Sequence, residues 1–275
     1  MGLFKPAWMT DKPGKEGKAV ASVAQASGQA QLVEIVREAP LQKVKLAALE
    51  RIEDQETLMR FADDLSCSGG SIHVYMAARK RLDAEHRKHF VLTASDASQV
   101  AEAIVDGIDD EAFLRDKVVM GARELPCLVD QWNGGNAGET AVLRVLAAAL
   151  ESIHDEDFLL DVVMAKVAGP LDGLYTENGW DSKLREVAVW NIADERRLYE
   201  IVCDGPTNGD ARIAAVSQMN DEWNLQALVD DEEGSSGLVR YNSIGYWARE
   251  KLKRKGKIVF YTRAKPGYWE PRPNH

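Results

Sequence analysis

The chain has 275 residues, of which 45% are hydrophobic and 28% charged, with a formal net charge of −10. This composition supplies ample material for a core and excludes disorder as the general state. No run of about 18 apolar residues is present to span a bilayer, and the acidic balance repels phosphate backbones at long range.

In chain order, Met1 to Ala7 lacks the apolar run of a secretory signal, and Pro6 stands where a myristoylation signal following Gly2 wants Ser or Thr. The expectation is a cytoplasmic, unanchored protein with no membrane contact and an N-terminal extension over residues 1–17. A recurring frame begins near residue 18. Its clearest copy surrounds Asp54: an aliphatic residue, Ile52, lies two before it, Leu58 four after it, and Phe61 and Ala62 seven and eight after it. The frame recurs at Asp110, Asp155, Asp194 and Asp221, with Ile108, Ile153, Ile192 and Met219 before the Asp and Leu114, Leu159, Leu198 and Leu225 after it. At Asp110 it misses one apolar column, where Lys117 stands. Two copies lack the Asp and are read with Gly28 and Ala84 at the junction, and a partial eighth unit starts near Val239.

Apolar residues at helical spacing on both sides of each junction predict two amphipathic helices joined by a tight turn. The junction Asp is expected to cap the second helix by accepting from its unpaired N–H groups, contributing about 1 kcal/mol. Glu111, Glu156, Glu195 and Glu222 follow directly, placing negative charge at the positive end of the helix dipole. A single hairpin cannot bury its apolar face alone, so the pairs are expected to stack.

Small residues in the first helix, aliphatic-x-Asp at the turn and the following Leu resemble HEAT-like repeats of the armadillo type, over roughly residues 18 to 252. Lys45, Arg185, Arg212 and Arg240 also match the basic residue that often opens the first helix in that family, whereas Tyr75 and Ala101 depart from it. The resemblance implies an all-α solenoid, a right-handed superhelix of about seven to eight helix hairpins. It implies little about activity, because function resides in sites grafted onto a fold.

Two segments interrupt the frame, 121–139 with Pro126, Cys127 and Trp132, and 169–181 with Pro170, Tyr175 and Trp180. Both are read as insertions, either long connections or decorations of a binding face. Trp190 and Trp223 occupy columns that are polar in the other copies. With Trp132 and Tyr199 they are the candidate partner-binding residues, since exposed aromatics mark interaction hot spots; the alternative, favoured for Trp190, is that the ring packs under an insertion.

Cys67, Cys127 and Cys203 form no CxxC pair, the five His residues show no repeated His-Glu pairing, and no GxSxG, GxxxxGK or HExxH motif is present. No catalytic residue, metal or cofactor is therefore expected. The segment 253–275 is read as a basic, aromatic cap or tail. From Arg249 onward nine basic residues face two acidic ones, giving +7 and leaving −17 on residues 1–248. The leading expectation is a non-catalytic scaffold for an unknown protein or peptide. The alternative is a nucleic-acid-binding enzyme of the HEAT-like DNA glycosylase type, which the charge of the body disfavours.

Overall fold

The computed structural model describes residues 6–12, 14–64, 67, 69–129, 136–164, 166, 180–204, 209–236, 243–254, 262–265 and 268–270. It is all-α, with sixteen α-helical segments among these residues that pack neighbour to neighbour. The chain divides into two compact units, Met1–Ala94 and Ser95–His275. No helix among the described residues is long and apolar enough to cross a membrane.

The first unit contains α1 (Glu16–Val23), α2 (Gln29–Glu38), α3 (Gln42–Leu49), α4 (Gln55–Asp63), α5 (Ile72–Lys80) and α6 (Ala84–Thr93). A 3-10 turn, Ala7–Met9, buries Trp8 and packs on α1. The second unit opens with α7 (Ala97–Val105) and the short α8 (Glu111–Phe113), followed by α9 (Pro126–Val129), α10 (Asn136–Glu151) and α11 (Glu156–Val163). It continues with α12 (Trp180–Trp190), α13 (Glu195–Asp204), α14 (Gly209–Gln218), α15 (Glu222–Ser236) and α16 (Ile244–Arg254). An antiparallel pair, β1 (Thr262–Lys265) and β2 (Tyr268–Glu270), lies in the C-terminal segment with Thr262 opposite Glu270. The segment 253–275, read as a cap or tail, falls largely outside the described residues.

The junction frame is realised in the fold. Asp54 accepts from the Thr57 N–H at 3.0 Å, Asp110 from Phe113 at 3.0 Å, Asp155 from Asp157 at 3.1 Å and Phe158 at 3.2 Å, Asp194 from Arg197 at 2.9 Å, and Asp221 from Trp223 at 2.9 Å. Each satisfies a donor that the first helical turn leaves without a partner. The residues two before and four after each Asp are buried in every copy.

Two copies depart from the expected register for identifiable reasons. In the third pair the capping residue is Asp83, which accepts from His86 N–H at 2.9 Å, and not Ala84. The turn is one residue shorter there, so Phe90 and Val91 are buried while Leu92 is exposed. At Asp110 the second helix widens into a π-turn, Leu114–Val119, closed by Met120 N–H on the Arg115 carbonyl at 2.9 Å. The wider turn carries one extra residue, which rotates Lys117 outward and buries Val118 and Val119.

The most extensive helix contacts run from one pair to the next. In the first unit α1 packs on α3 and α3 on α5, while α2 packs on α3 and α4 on α5. In the second unit α7, α10, α12, α14 and α16 pack successively, and α11, α13 and α15 pack on α12, α14 and α16 respectively. The α15 and α16 contact is close enough that a Cβ on buried Gly245 would stand 3.1 Å from the Leu228 carbonyl oxygen and 3.0 Å from Glu232 Cβ. Part of the first insertion belongs to the core, because Ala122, Leu125, Cys127 and Leu128 are buried.

Candidate functional site

Most polar residues near the junctions are engaged in holding successive pairs together. At five junctions the following residue reaches the backbone of the next turn: Gln29 Oε1 accepts from Glu53 N–H at 3.4 Å, and Gln55 Oε1 from Asp83 N–H at 2.9 Å. Glu111 accepts from Asp155 N–H at 3.0 Å, Glu156 from Ala193 N–H at 3.0 Å, and Glu195 from Asn220 N–H at 2.6 Å. These residues therefore do more than complement a helix dipole.

A second series starts just before the junction and runs backward. Arg51 donates to the Val23 carbonyl, Arg81 to those of Leu49 and Ile52, Asn191 to Leu150 and Gln218 to Val189, in each case the end of the preceding first helix or its turn. Lys251 repeats the contact on the Ser217 carbonyl, and burial pushes its pKa below the ordinary lysine value. The opening basic residues form a third series. Lys45 donates to the Arg37 carbonyl at 3.2 Å, Arg185 to Val163 at 3.2 Å, and Arg212 to Val202 at 2.7 Å, each near the C-terminus of a second helix, where carbonyls lack intrahelical partners. Burial lowers the Lys45 pKa. These cations are structural ties, and the acidic junctions are caps.

What these series leave over is the outward stripe of the second helices. In the second unit it runs through Asp157 and Asp161 on α11, Arg196, Glu200 and Asp204 on α13, and Trp223, Ala227, Asp230 and Asp231 on α15. The spacing of four and seven or eight residues puts each set on one helix face. Asp157 is paired with Arg197 Nη2 at 2.6 Å, whereas Asp161, Glu200, Asp204, Asp230 and Asp231 have no cationic partner among the described residues.

Of the predicted partner-binding residues, Trp223 lies on this stripe and is 87% exposed. Tyr199 lies beside it on α13, half-buried, and its hydroxyl pKa is raised by a hydrogen bond with Cys203, with Asp231 adding a smaller push. Trp190, at the end of α12, is half-buried with its ring nitrogen enclosed. Trp132 lies outside the described residues. The structure thus brings Tyr199 and the Trp223 helix to one surface and places Trp190 in a first helix.

Residues that the periodic frame did not mark also stand here. Cys203 and Asp231 line a cleft of about 360 Å³ bordered by Arg212, Leu228 and Ser243, and no spacing in the periodic frame marks them, since Cys203 falls nine residues after Asp194 and Asp231 ten after Asp221. Cys203 is exposed, while burial pushes the Cys127 thiol up to about 11. In the first unit, Lys12, Lys15 and Lys18 line a groove of about 690 Å³ together with Asp11 and Glu38. Among the described residues no group of three His, Cys, Asp or Glu side chains is arranged to hold a metal ion. No family model, no curated protein and no solved structure matches the chain.

Proposed function

We propose that the chain is a non-catalytic interaction scaffold of the cytoplasm, a HEAT-like solenoid of seven to eight helix pairs over residues 18–252, flanked by the extension 1–17 and the tail 253–275. The repeat reading is supported by the Asp caps recurring at the junctions and by hydrogen-bond series that recur between successive pairs within each unit. On this reading the outward stripe of the second helices holds a protein or peptide.

The observation that carries the function is Trp223. An indole 87% exposed on a well-formed helix leaves a large apolar surface in water, and such aromatics dominate the energetics of protein interfaces. The glycosylase alternative requires a cationic groove to neutralise phosphates, and the acidic stripe of the second unit speaks for the scaffold instead. The test is capture of partners from source-cell extract by the immobilised chain and by Trp223→Ala. Loss of capture with an unchanged melting temperature is the expected result. Reproducible substrate turnover, abolished by one side-chain change without loss of fold, would sink the reading.

A further inference from the structure

We propose that the face formed by α11, α13 and α15 docks a Lys- and Arg-rich extended segment of a partner protein, with Trp223 stacking on one of its cations. The proposal rests on the scaffold reading and adds the chemistry of the partner.

Two independent features meet on this face. Trp223 offers an unpartnered aromatic surface at the start of α15. A ring in this position attracts ammonium or guanidinium groups through its quadrupole. The rest of the stripe is anionic: Glu200 and Asp204 on α13 and Asp230 and Asp231 on α15 are outward or half-outward and without cationic partners among the described residues, against Arg196, while Arg197 is committed to Glu156 and Asp157 and Arg212, at the edge of the cleft, to the Val202 carbonyl. The two helices are neighbours, since Asp231 acts electrostatically on Tyr199 and shares a cleft with Cys203.

Spacing favours a chain over a single ion. Seven to eight residues of helix separate Trp223 from Asp230 and Asp231, about 11 Å at the rise of an α-helix. An extended peptide covers that span with about three residues, so one cation can stack on the indole while its neighbours meet the carboxylates. A lone divalent cation would need several carboxylates converging on one point, and none of the described groups is so arranged. The equivalent stripe of the first unit mixes Arg37 and Arg60 with its acids and carries no exposed aromatic ring, so the same partner has less reason to settle there.

The test is fluorescence anisotropy of a labelled deca-lysine peptide titrated with the full chain, at low ionic strength and at about 0.3 M salt, where the screening length falls to roughly 5 to 6 Å. Saturable binding that weakens with salt is expected. Trp223→Ala should weaken it about tenfold, the scale of one desolvated cation–aromatic contact, and the double variant Asp230→Lys/Asp231→Lys by at least as much. Glu56→Lys/Asp63→Lys, the same charge change on the first unit, should alter it less than about twofold if attraction is local. Circular dichroism and melting of each variant show that the fold is kept, and Asp204→Lys serves if the double variant is unstable. Absence of binding, an unchanged affinity in Trp223→Ala, or an equal loss in the first-unit control overturns the proposal. If deca-lysine fails while Trp223→Ala still abolishes capture of a native partner, the basic class is wrong and the scaffold reading stands. If neither depends on Trp223, both fall.

Discussion

The two units solve the same structural problem with different chemistry. In the first unit the acceptor that reaches the next turn is an amide, Gln29 or Gln55, and in the second it is a carboxylate, Glu111, Glu156 or Glu195. The slot demands only an oxygen at the right distance from a backbone N–H. A carboxylate in that slot accepts more strongly and sits at the positive end of its own helix. It also recruits further cations: Glu156 accepts from Arg197 at 2.8 Å as well as from Ala193 N–H. The surface follows the same division, since the outward stripe of the first unit interleaves Arg37 and Arg60 with acids, whereas that of the second is acidic but for Arg196. Negative charge is thus concentrated in the second unit both between the helix pairs and on the face with the exposed indole.

The comparison is tested most strongly at Glu156. Glu156→Ala removes the acceptor of one exposed backbone N–H and one partly shielded guanidinium and is expected to destabilise the second unit by about 2 kcal/mol. Gln55→Ala removes a single neutral hydrogen bond and should lower stability by about 1 kcal/mol. Urea unfolding of the two variants against the parent measures both. Equal losses would show that the charge contributes nothing beyond the hydrogen bond.

A smaller effect is expected at the caps. Asp110→Ala deletes the bond to Phe113 N–H at the start of the helix with the π-turn and should lower stability by about 1 kcal/mol. Asp110→Asn keeps an acceptor and should recover most of it. If Ala and Asn behave alike, the carboxylate is not acting as a cap.

The caps of the first unit also predict a response to acid. Hydrogen bonds from Thr57 hold the Asp54 pKa below the usual carboxylate value, and those from His86 do the same for Asp83. A carboxylate with a depressed folded pKa contributes stability that is present above its unfolded value, about 3.9, and is lost as pH falls through the folded one. The protection of α4 and α6 against hydrogen exchange, measured relative to the intrinsic rate, should therefore fall as pH drops from about 5 to about 3. This loss of protection should diminish in α4 with Asp54→Asn. An unaltered pH dependence in that variant would assign the acid response to other groups.

The sequence makes the junctions legible because capping and burial are local. An Asp followed at four, seven and eight by apolar residues specifies both the turn and the buried face of the next helix, and five Asp caps stand where that pattern puts them. It misplaces the third junction because a turn shortened by one residue puts the cap at Asp83, and a fixed frame has no means to register the change. Lys117 looks like a defect in the pattern until the π-turn supplies the rotation that removes it from the core. The ties between pairs are harder to see. Arg51, Asn191 and Gln218 differ in chemistry yet occupy one slot, and their partners are backbone carbonyls about 30 to 40 residues away, which no side-chain pattern records. The candidate face is legible only in part: Trp223 stands out as an aromatic in a polar column, but the acidic stripe becomes visible only when α13 and α15 are placed side by side.

The smallest expected effect comes from making the first pair resemble the others. Gly28 is the N-cap of α2 and provides no side-chain acceptor, while Gln31 in the first turn already accepts from Ser27 N–H at 2.8 Å. Its backbone, at φ 170° and ψ 178°, is extended and open to any residue, and an added Cβ meets nothing within 4 Å. Gly28→Asp should therefore install the missing cap without strain. Asp exceeds Gly at this position by only a few tenths of a kcal/mol, and removing a flexible glycine from the unfolded chain adds a comparable amount, so the expected gain is about 0.5 kcal/mol. Gly28→Ala shares the second contribution but supplies no acceptor, and Ala is a poor N-cap, so it should be neutral or slightly destabilising. Thermal melts of the two variants separate the contributions. A rise of about 1 to 2 °C for Gly28→Asp alone identifies the first junction as equivalent to those at Asp54 and Asp83, whereas identical melts for Asp and Ala would show that α2 begins by a different rule.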